Sequence, residues 1–375
     1  MKPSPLLLVR RSRSRERSRG QIIVIAALGI LAIVGMIALV LEGGNAYAQQ
    51  RVAQNGSDSA ANAGAVTLAQ RLGGATIADA NVANAVTRMS NQNTLTAHEA
   101  YYTNIAGQLL DNSGAVVATT AQAARVGNNV IPPGAQGVFV GGTRTFGTFF
   151  GNAVGISSLS AAADATAVTG LLTGGQFLPV VFPVNITDCS QSGNTGIGVD
   201  NWPLAQPGTP PVGQEYIVPL CKTNAGSFQI LDLDPTMNCI EEVETPPSVS
   251  LPLPTDVPTD NGNNCANLIT DYVNANLQGH VVLIPICDVA CAGGQGSGGV
   301  YHVIKVTAFY IDYMSDSNLQ NQPNSDCQAH NGLVPIFGNG SSSCLAGWFV
   351  RYITTGPVTS GPIGNADDVG VQLIK

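Results

Sequence analysis

The residue types that most often carry out catalysis or hold a metal are sparse in this chain of 375 residues, and they match no common catalytic spacing. His-Glu-x-x-His, which places two zinc ligands and a general base on one helical face, is absent. Gly-x-Ser-x-Gly, the turn that exposes a nucleophilic serine, is absent too. The histidines are far apart: His98, His280, His302 and His330. We expect no catalytic residue, no metal, no cofactor and no small-molecule substrate.

Two short motifs match the residue pattern of a ligand-binding site but lack the secondary structure that such a site needs. Asp188 to Ser192 has the form Asp-x-Ser-x-Ser, whose oxygen atoms suit a hard cation. Such a motif needs an amphipathic helix after it, but residues 193–213 are rich in Gly and Pro, which favours a disulfide-bearing loop. Gly294 to Gly299 repeats the glycines of a dinucleotide fingerprint, but no helix follows, so a hairpin connection is predicted.

All the cysteines lie in the distal half of the chain, and we expect them to form up to four disulfides. Eight cysteines allow 105 pairings, so the sequence leaves the pairing open. Cys287 and Cys291 have a spacing that would also suit zinc, with His280 or His302 as a third ligand. The candidates are Cys189, Cys221, Cys239, Cys265, Cys287, Cys291, Cys327 and Cys344.

An apolar run from Ile22 to Leu41 predicts a membrane-spanning helix. It has twenty uncharged residues, of which thirteen are Ile, Leu or Val. At 1.5 Å per residue, this length spans about 30 Å, the thickness of a hydrocarbon core. A buried helix of a soluble domain is one alternative. A cleaved secretory signal is another, since Ala46 to Ala48 has the small-x-small form of a cleavage site and a released chain would begin at Gln49.

The charges on the two sides of this run predict its orientation. Six arginines and the single acid Glu16 stand between Arg10 and Arg19, and such a cluster stays cytoplasmic. A nucleic-acid-binding arm and a twin-arginine export signal are other interpretations of the cluster. After Gly20, nine Lys and Arg stand against 23 Asp and Glu, so nucleic acid is not an expected partner. The bulk of the chain is therefore expected outside the cytoplasmic membrane.

The segment after the membrane is rich in alanine and predicts a helix from Asn45 to Leu72, loosened at Gly43 and Gly44. Its small residues form a stripe that would suit either a partner helix or the helix's own domain. After residue 176, short apolar runs alternate with Gly, Pro and Asn, which predicts a β-rich domain. One helix is predicted there, Asn263 to Leu277. The stripe consists of Ala46, Ala53, Gly56, Ala60 and Ala63.

An ordered pattern around the apolar run resembles a known family. Arg19-Gly20-Gln21 precedes the run, and Glu42-x-Gly44-x-x-Tyr47 and Gln54-Asn55-x-x-Asp58-x-Ala60-Ala61-x-Ala63-Gly64-Ala65 follow it. A second passage begins with Thr145-Phe146-Gly147-Thr148-Phe149-Phe150-Gly151 and ends with Ala163-Asp164-Ala165-Thr166-Ala167. Together they resemble the TadE/TadG-like proteins of the tight-adherence, or Flp, pilus system. Glu42 stands where that family commonly has Asp.

The resemblance implies a bitopic envelope protein, without catalytic residues, that helps to assemble or anchor a pilus with other assembly proteins or pilin. Ile25 occupies the position where prepilin processing after Gly20 would favour Glu, which points to the uncleaved, TadG-like branch. An envelope-anchored adhesin unrelated to pili and an extracytoplasmic hydrolase are the alternatives. The expected regions are a basic cytoplasmic tail (1–21), a transmembrane helix (22–41), a helical stalk with a small α+β region (42–175), and a Cys-rich, β-rich extracytoplasmic domain (176–375).

Overall fold

The computed structural model describes residues 14–183, 185–187, 194–198, 216–219, 231–259, 276–288, 299–315, 344–350, 353–361 and 369–374. The α-helices in this part of the chain are α1 (Ser14–Leu72), α2 (Asp79–Gln92) and α3 (Cys239–Glu244). The strands are β1 (Ala97–Thr103), β2 (Gly137–Gly147), β3 (Ser158–Leu172), β4 (Gly174–Gln176), β5 (Phe182–Pro183), β6 (Asn185–Thr187), β7 (Asn194–Gly198), β8 (Tyr216–Pro219), β9 (Ser248–Ser250), β10 (Thr255–Pro258), β11 (Val281–Cys287), β12 (Val300–Ser315), β13 (Cys344–Val350), β14 (Ile353–Thr355), β15 (Val358–Thr359) and β16 (Val369–Leu373).

Helix α1 is one element of 59 residues, which confirms the helix predicted from Asn45 to Leu72. It continues through Gly43 and Gly44, where a loosening was expected. Each glycine costs a helix about 1 kcal/mol relative to alanine. The good helix formers on both sides outweigh that cost, so the apolar and alanine-rich halves form a single rod.

The first sheet lies against the alanine-rich half of α1. In the described residues its order is β1-β2-β3-β16-β14, with β15 also paired to β3. Its core is formed by α1, α2 and the sheet, and includes Leu68, Val86, Tyr102 and Val138. Strand β16 runs antiparallel to β3, pairing Val369 with Leu171. A segment near the end of the chain thus completes a sheet that is mostly formed by residues 97–172.

The β2–β3 hairpin extends past the rest of this sheet. It pairs continuously from Gly137 with Val168 to Gly147 with Ser158. Strand β1 pairs with β2 only as far as Thr143. Among the described strands, residues 144–147 and 158–161 therefore pair only with each other, and they form a projecting arm.

The second sheet has the order β5-β11-β12-β13-β8, with β10 also paired to β12, in the described residues. Phe309 stacks edge-on against Phe349 at 5.1 Å between ring centroids. Phe309 and Trp348 are fully buried, as the preference of aromatic strand residues for a core predicts. The expected β-rich remainder is thus present. Most of the helix predicted from Asn263 to Leu277 lies outside the described residues.

Candidate membrane-proximal interface

The first half of α1 presents apolar side chains on all sides. Among the described residues it is the one helix long and apolar enough to cross a membrane. The side chains from Ile22 to Leu41 are almost all exposed, with Leu39 and Val40 above 70%. Exposure of so many apolar side chains to water is unfavourable, so this half of the helix needs an apolar surrounding.

The second half of α1 packs on the first sheet through very small side chains. Ala53, Ala60 and Ala65 are completely buried. A Cβ atom added to Gly64 would lie 3.0 Å from methyl groups of both Val86 and Val138. Three members of the stripe, Ala53, Gly56 and Ala60, are buried, so they allow close approach of α1 to its own folded unit, as one of the two interpretations of the sequence expects.

Polar side chains of α1 fasten the helix to the backbone of β3. Gln50 donates to the carbonyl of Ala162 at 2.7 Å, and Ser57 donates to that of Ala163 at 3.0 Å. Gln54 donates to the carbonyl of Asp164 at 3.2 Å and to Asp58 Oδ1 at 2.8 Å, so the carboxylate orients the amide. The Gln54-x-x-x-Asp58 part of the sequence pattern is thus a contact between helix and sheet.

Glu42 fastens the tip of the hairpin arm to the end of the apolar helix. Its Oε2 accepts hydrogen bonds from the backbone N–H groups of Phe149 and Phe150, at 3.0 and 3.1 Å. Glu42 directly follows Leu41, the last residue of the apolar run. The tip of the arm is therefore held at the height where the apolar part of α1 ends.

The turn at the tip is closed by its own hydrogen bonds. Thr148 Oγ1 donates to the carbonyl of Ile156 at 2.6 Å, and the N–H of Ile156 donates to the carbonyl of Gly151 at 2.9 Å. Gly155 has φ of 86°, a left-handed conformation that favours glycine. The tip is a short 3-10 turn, Gly151–Val154, flanked by the exposed side chains of Phe149 and Ile156.

A buried carboxylate organises the opposite end of the same unit. Asp79 begins α2 and accepts hydrogen bonds from the Tyr102 hydroxyl at 2.6 Å and from the N–H groups of Gly127 and Asn129 at 2.9 and 2.6 Å. Burial, and then the bond to Asp79, raise the pKa of Tyr102 well above its ordinary value. Three donors on one carboxylate make this a structural junction.

The candidate ligand residues are not brought together in the described part of the chain, where no group of three or more His, Cys, Asp and Glu side chains converges. His98 lies in β1, where burial, followed by the charge of Arg125, lowers its pKa. His302 bonds Asp256 Oδ1 at 2.7 Å, but both side chains are exposed, so the pair contributes little to stability.

The cysteine Cys287 is buried in β11. Cys239 and Cys344 lie in α3 and β13. Outside the described residues lie His330, Asp188 to Ser192, most of Gly294 to Gly299, and the cysteines Cys189, Cys221, Cys265, Cys291 and Cys327.

Two groups of contact residues were missed at the sequence level. Gln50 and Ser57 lie outside the quoted letters of the pattern, yet both bond the backbone of β3. The role of Phe149 and Phe150 was also not foreseen, although both lie in the second passage. A signal was present in their charge pattern: no Asp, Glu, Lys or Arg occurs between Arg144 and Asp164.

Comparison with known proteins gives one family. Residues 20–67 match the model of the TadE/G-like Flp pilus-assembly family. The match begins at Gly20 and includes the apolar run, Glu42, Gln54 and Asp58, but it ends before the second passage that begins at Thr145. No curated protein and no solved structure matches the chain.

Proposed function

We propose that this chain is a non-enzymatic, membrane-anchored component of Tad/Flp pilus assembly or anchoring at the bacterial cell envelope. The match of residues 20–67 to the TadE/G-like family carries the proposal. The matched residues are also those that join the apolar helix to the first sheet, since Glu42, Gln54 and Ser57 all bond the β2–β3 hairpin. The residues matched by the family model thus include those that attach α1 to the β2–β3 hairpin.

In this proposal the chain crosses the cytoplasmic membrane once, with its N-terminus in the cytoplasm and its bulk outside. The arginines between Arg10 and Arg19 and the acidic balance after Gly20 support that orientation. The role is that of the uncleaved, TadG-like branch, and the partners are other pilus assembly proteins or pilin. The expected regions, 1–21, 22–41, 42–175 and 176–375, remain part of the proposal, with β14 and β16 contributing to the sheet of the third region.

The cysteines are proposed to form disulfides on the oxidising side of the membrane. Cys287 is fully buried, and no cysteine is free in the part of the chain that is described. Alkylation of the unreduced, denatured protein with iodoacetamide should therefore leave its mass unchanged. A mass increase by eight carbamidomethyl groups would contradict both the disulfides and the oxidising location.

Deletion of the gene tests the function directly. The proposal predicts that cells lose Flp-type filaments under electron microscopy, and that the intact gene restores them. The double variant Gln54→Ala with Ser57→Ala, which loses two of the hydrogen bonds from α1 to β3, should give an intermediate loss of filaments. The exposed substitution Gln70→Ala should give none. Normal filaments with weakened surface attachment would instead support an envelope-anchored adhesin.

A further inference from the structure

The tip of the hairpin arm carries a group of exposed apolar side chains beside the end of the apolar helix. Phe149 is 69% exposed, Ile156 50%, Phe150 40% and Leu159 37%. Large apolar side chains clustered on a surface mark a place of contact, whereas single ones are ordinary. The tip therefore presents apolar side chains that the described part of the chain leaves uncovered.

Glu42 fixes the height of this group relative to the membrane. The backbone at Phe149 and Phe150 is held by the residue that follows the last apolar position of α1. If Ile22 to Leu41 fills the hydrocarbon core, the two rings lie at its outer boundary. Aromatic side chains concentrate at this depth in membrane proteins, because their apolar bodies prefer the headgroup region to water.

The backbone of the tip can enter such a region at a reduced cost, because half of its N–H groups already donate hydrogen bonds within the protein. An N–H group left without a partner in an apolar surrounding costs several kcal/mol in principle. Six N–H groups of the tip donate within the protein, those of Thr148, Phe149, Phe150, Ala153, Gly155 and Ile156. No charged side chain between Arg144 and Asp164 opposes entry.

We propose that this tip, which we call the lipid-contact tip (residues 148–159), inserts into the outer headgroup layer of the membrane that holds the chain's own helix. The inference rests on the proposed membrane anchor. Together with α1, the tip gives the folded unit two attachments to one surface. Two attachments restrict the tilt of the first sheet about the end of the helix, so the unit stands in a defined orientation toward its partners.

Fluorescence quenching by brominated lipid tests the contact. Full-length protein is placed in phosphatidylcholine and phosphatidylglycerol vesicles, with and without dibrominated phosphatidylcholine. The reporter is Phe150→Trp, measured against the two native tryptophans. The matched control is Val130→Trp, which is 41% exposed and near the far end of α1, since Pro132 and Leu72 line one cavity. That end lies about 45 Å from Glu42 along the helix.

We expect bromine to reduce the added emission of Phe150→Trp about twofold or more and to leave that of Val130→Trp unchanged. Carbonate-washed vesicles are assayed in parallel. Protein that stays in the vesicles but shows no quenching at position 150 overturns the lipid contact and leaves the anchor intact. A reporter shielded from aqueous iodide yet insensitive to bromine assigns the tip to a protein partner, which also overturns it. Release of the protein by carbonate removes the anchor and the tip together.

Discussion

Removal of the Glu42 carboxylate should release the hairpin tip without unfolding the sheet. Its Oε2 accepts from two backbone N–H groups, those of Phe149 and Phe150. A hydrogen bond to a charged group contributes about 1.5–3 kcal/mol, and we take the lower end because the tip is exposed. Glu42→Ala then loses about 3 kcal/mol of local stability, which corresponds to roughly 100-fold faster amide exchange of the tip, at tenfold per 1.4 kcal/mol.

Hydrogen-exchange mass spectrometry of the full-length protein in nanodiscs measures this change in the peptide that covers residues 147–157. Glu42→Gln keeps one carbonyl acceptor with weaker, neutral bonds, so its exchange should be intermediate, about tenfold faster than that of the unmodified chain. Glu99→Ala is the matched control, since Glu99 bonds Tyr101 on the same sheet and does not contact the tip. Unchanged exchange in Glu42→Ala would refute the role given to this carboxylate.

Two further changes test the packing and the buried junction. Ala60→Leu should lower stability by about 1–3 kcal/mol through overpacking between α1 and the sheet, whereas Asn55→Leu on the exposed face should not; thermal unfolding of both variants in detergent compares them. The raised pKa of Tyr102 means that the fold holds the protonated phenol, so its contribution is present below pH of about 10 and is lost as pH rises further. In Tyr102→Phe, the free energy of unfolding should fall less steeply between pH 9 and 11, because the slope loses the contribution of about one proton. A slope equal to that of the unmodified chain would contradict this role of Tyr102.

The local features of the fold were predictable where one segment carries its own signal. The apolar run and the alanine-rich helix after it follow from composition and spacing, and α1 contains both. The position of the small stripe, however, could not be chosen from the sequence. Small residues permit close approach to any neighbour. The contacts of Gly56 with Leu95, and of the adjoining Gly64 with Val86 of α2 and Val138 of β2, identify that neighbour as the chain's own folded unit.

Strand β3 illustrates what composition conceals. Ser158 to Thr169 is rich in alanine, a residue that is depleted in strands. Ala161, Ala163, Ala165 and Ala167 are nevertheless buried at alternate positions of a 15-residue strand. Alanine is suited to this strand because α1 lies close against it and leaves no room for larger side chains. The preference for alanine in β3 is therefore set by the helix that packs on it, and the sequence of the strand alone does not reveal that helix.

Long-range strand pairing is a second feature that the sequence does not predict. The run Val369 to Ile374 predicts a strand, and β16 forms there. Nothing in its residues indicates that it pairs with Leu171 and not with a nearer strand of the second sheet. The tip is a second case in which long-range contacts are decisive. Its apolar side chains indicate a membrane contact only because Glu42 holds them at the end of the apolar helix.

Protease digestion of intact spheroplasts, followed by immunoblotting of the membrane fraction, tests the central claim that one helix anchors a folded unit outside the cell membrane. The account predicts that the full-length chain is found in the carbonate-washed membrane and is shortened by externally added protease, while a cytoplasmic marker stays intact. Full-length chain in the soluble cytosol, or a membrane-bound chain that the protease cannot reach until the spheroplasts are lysed, would contradict it.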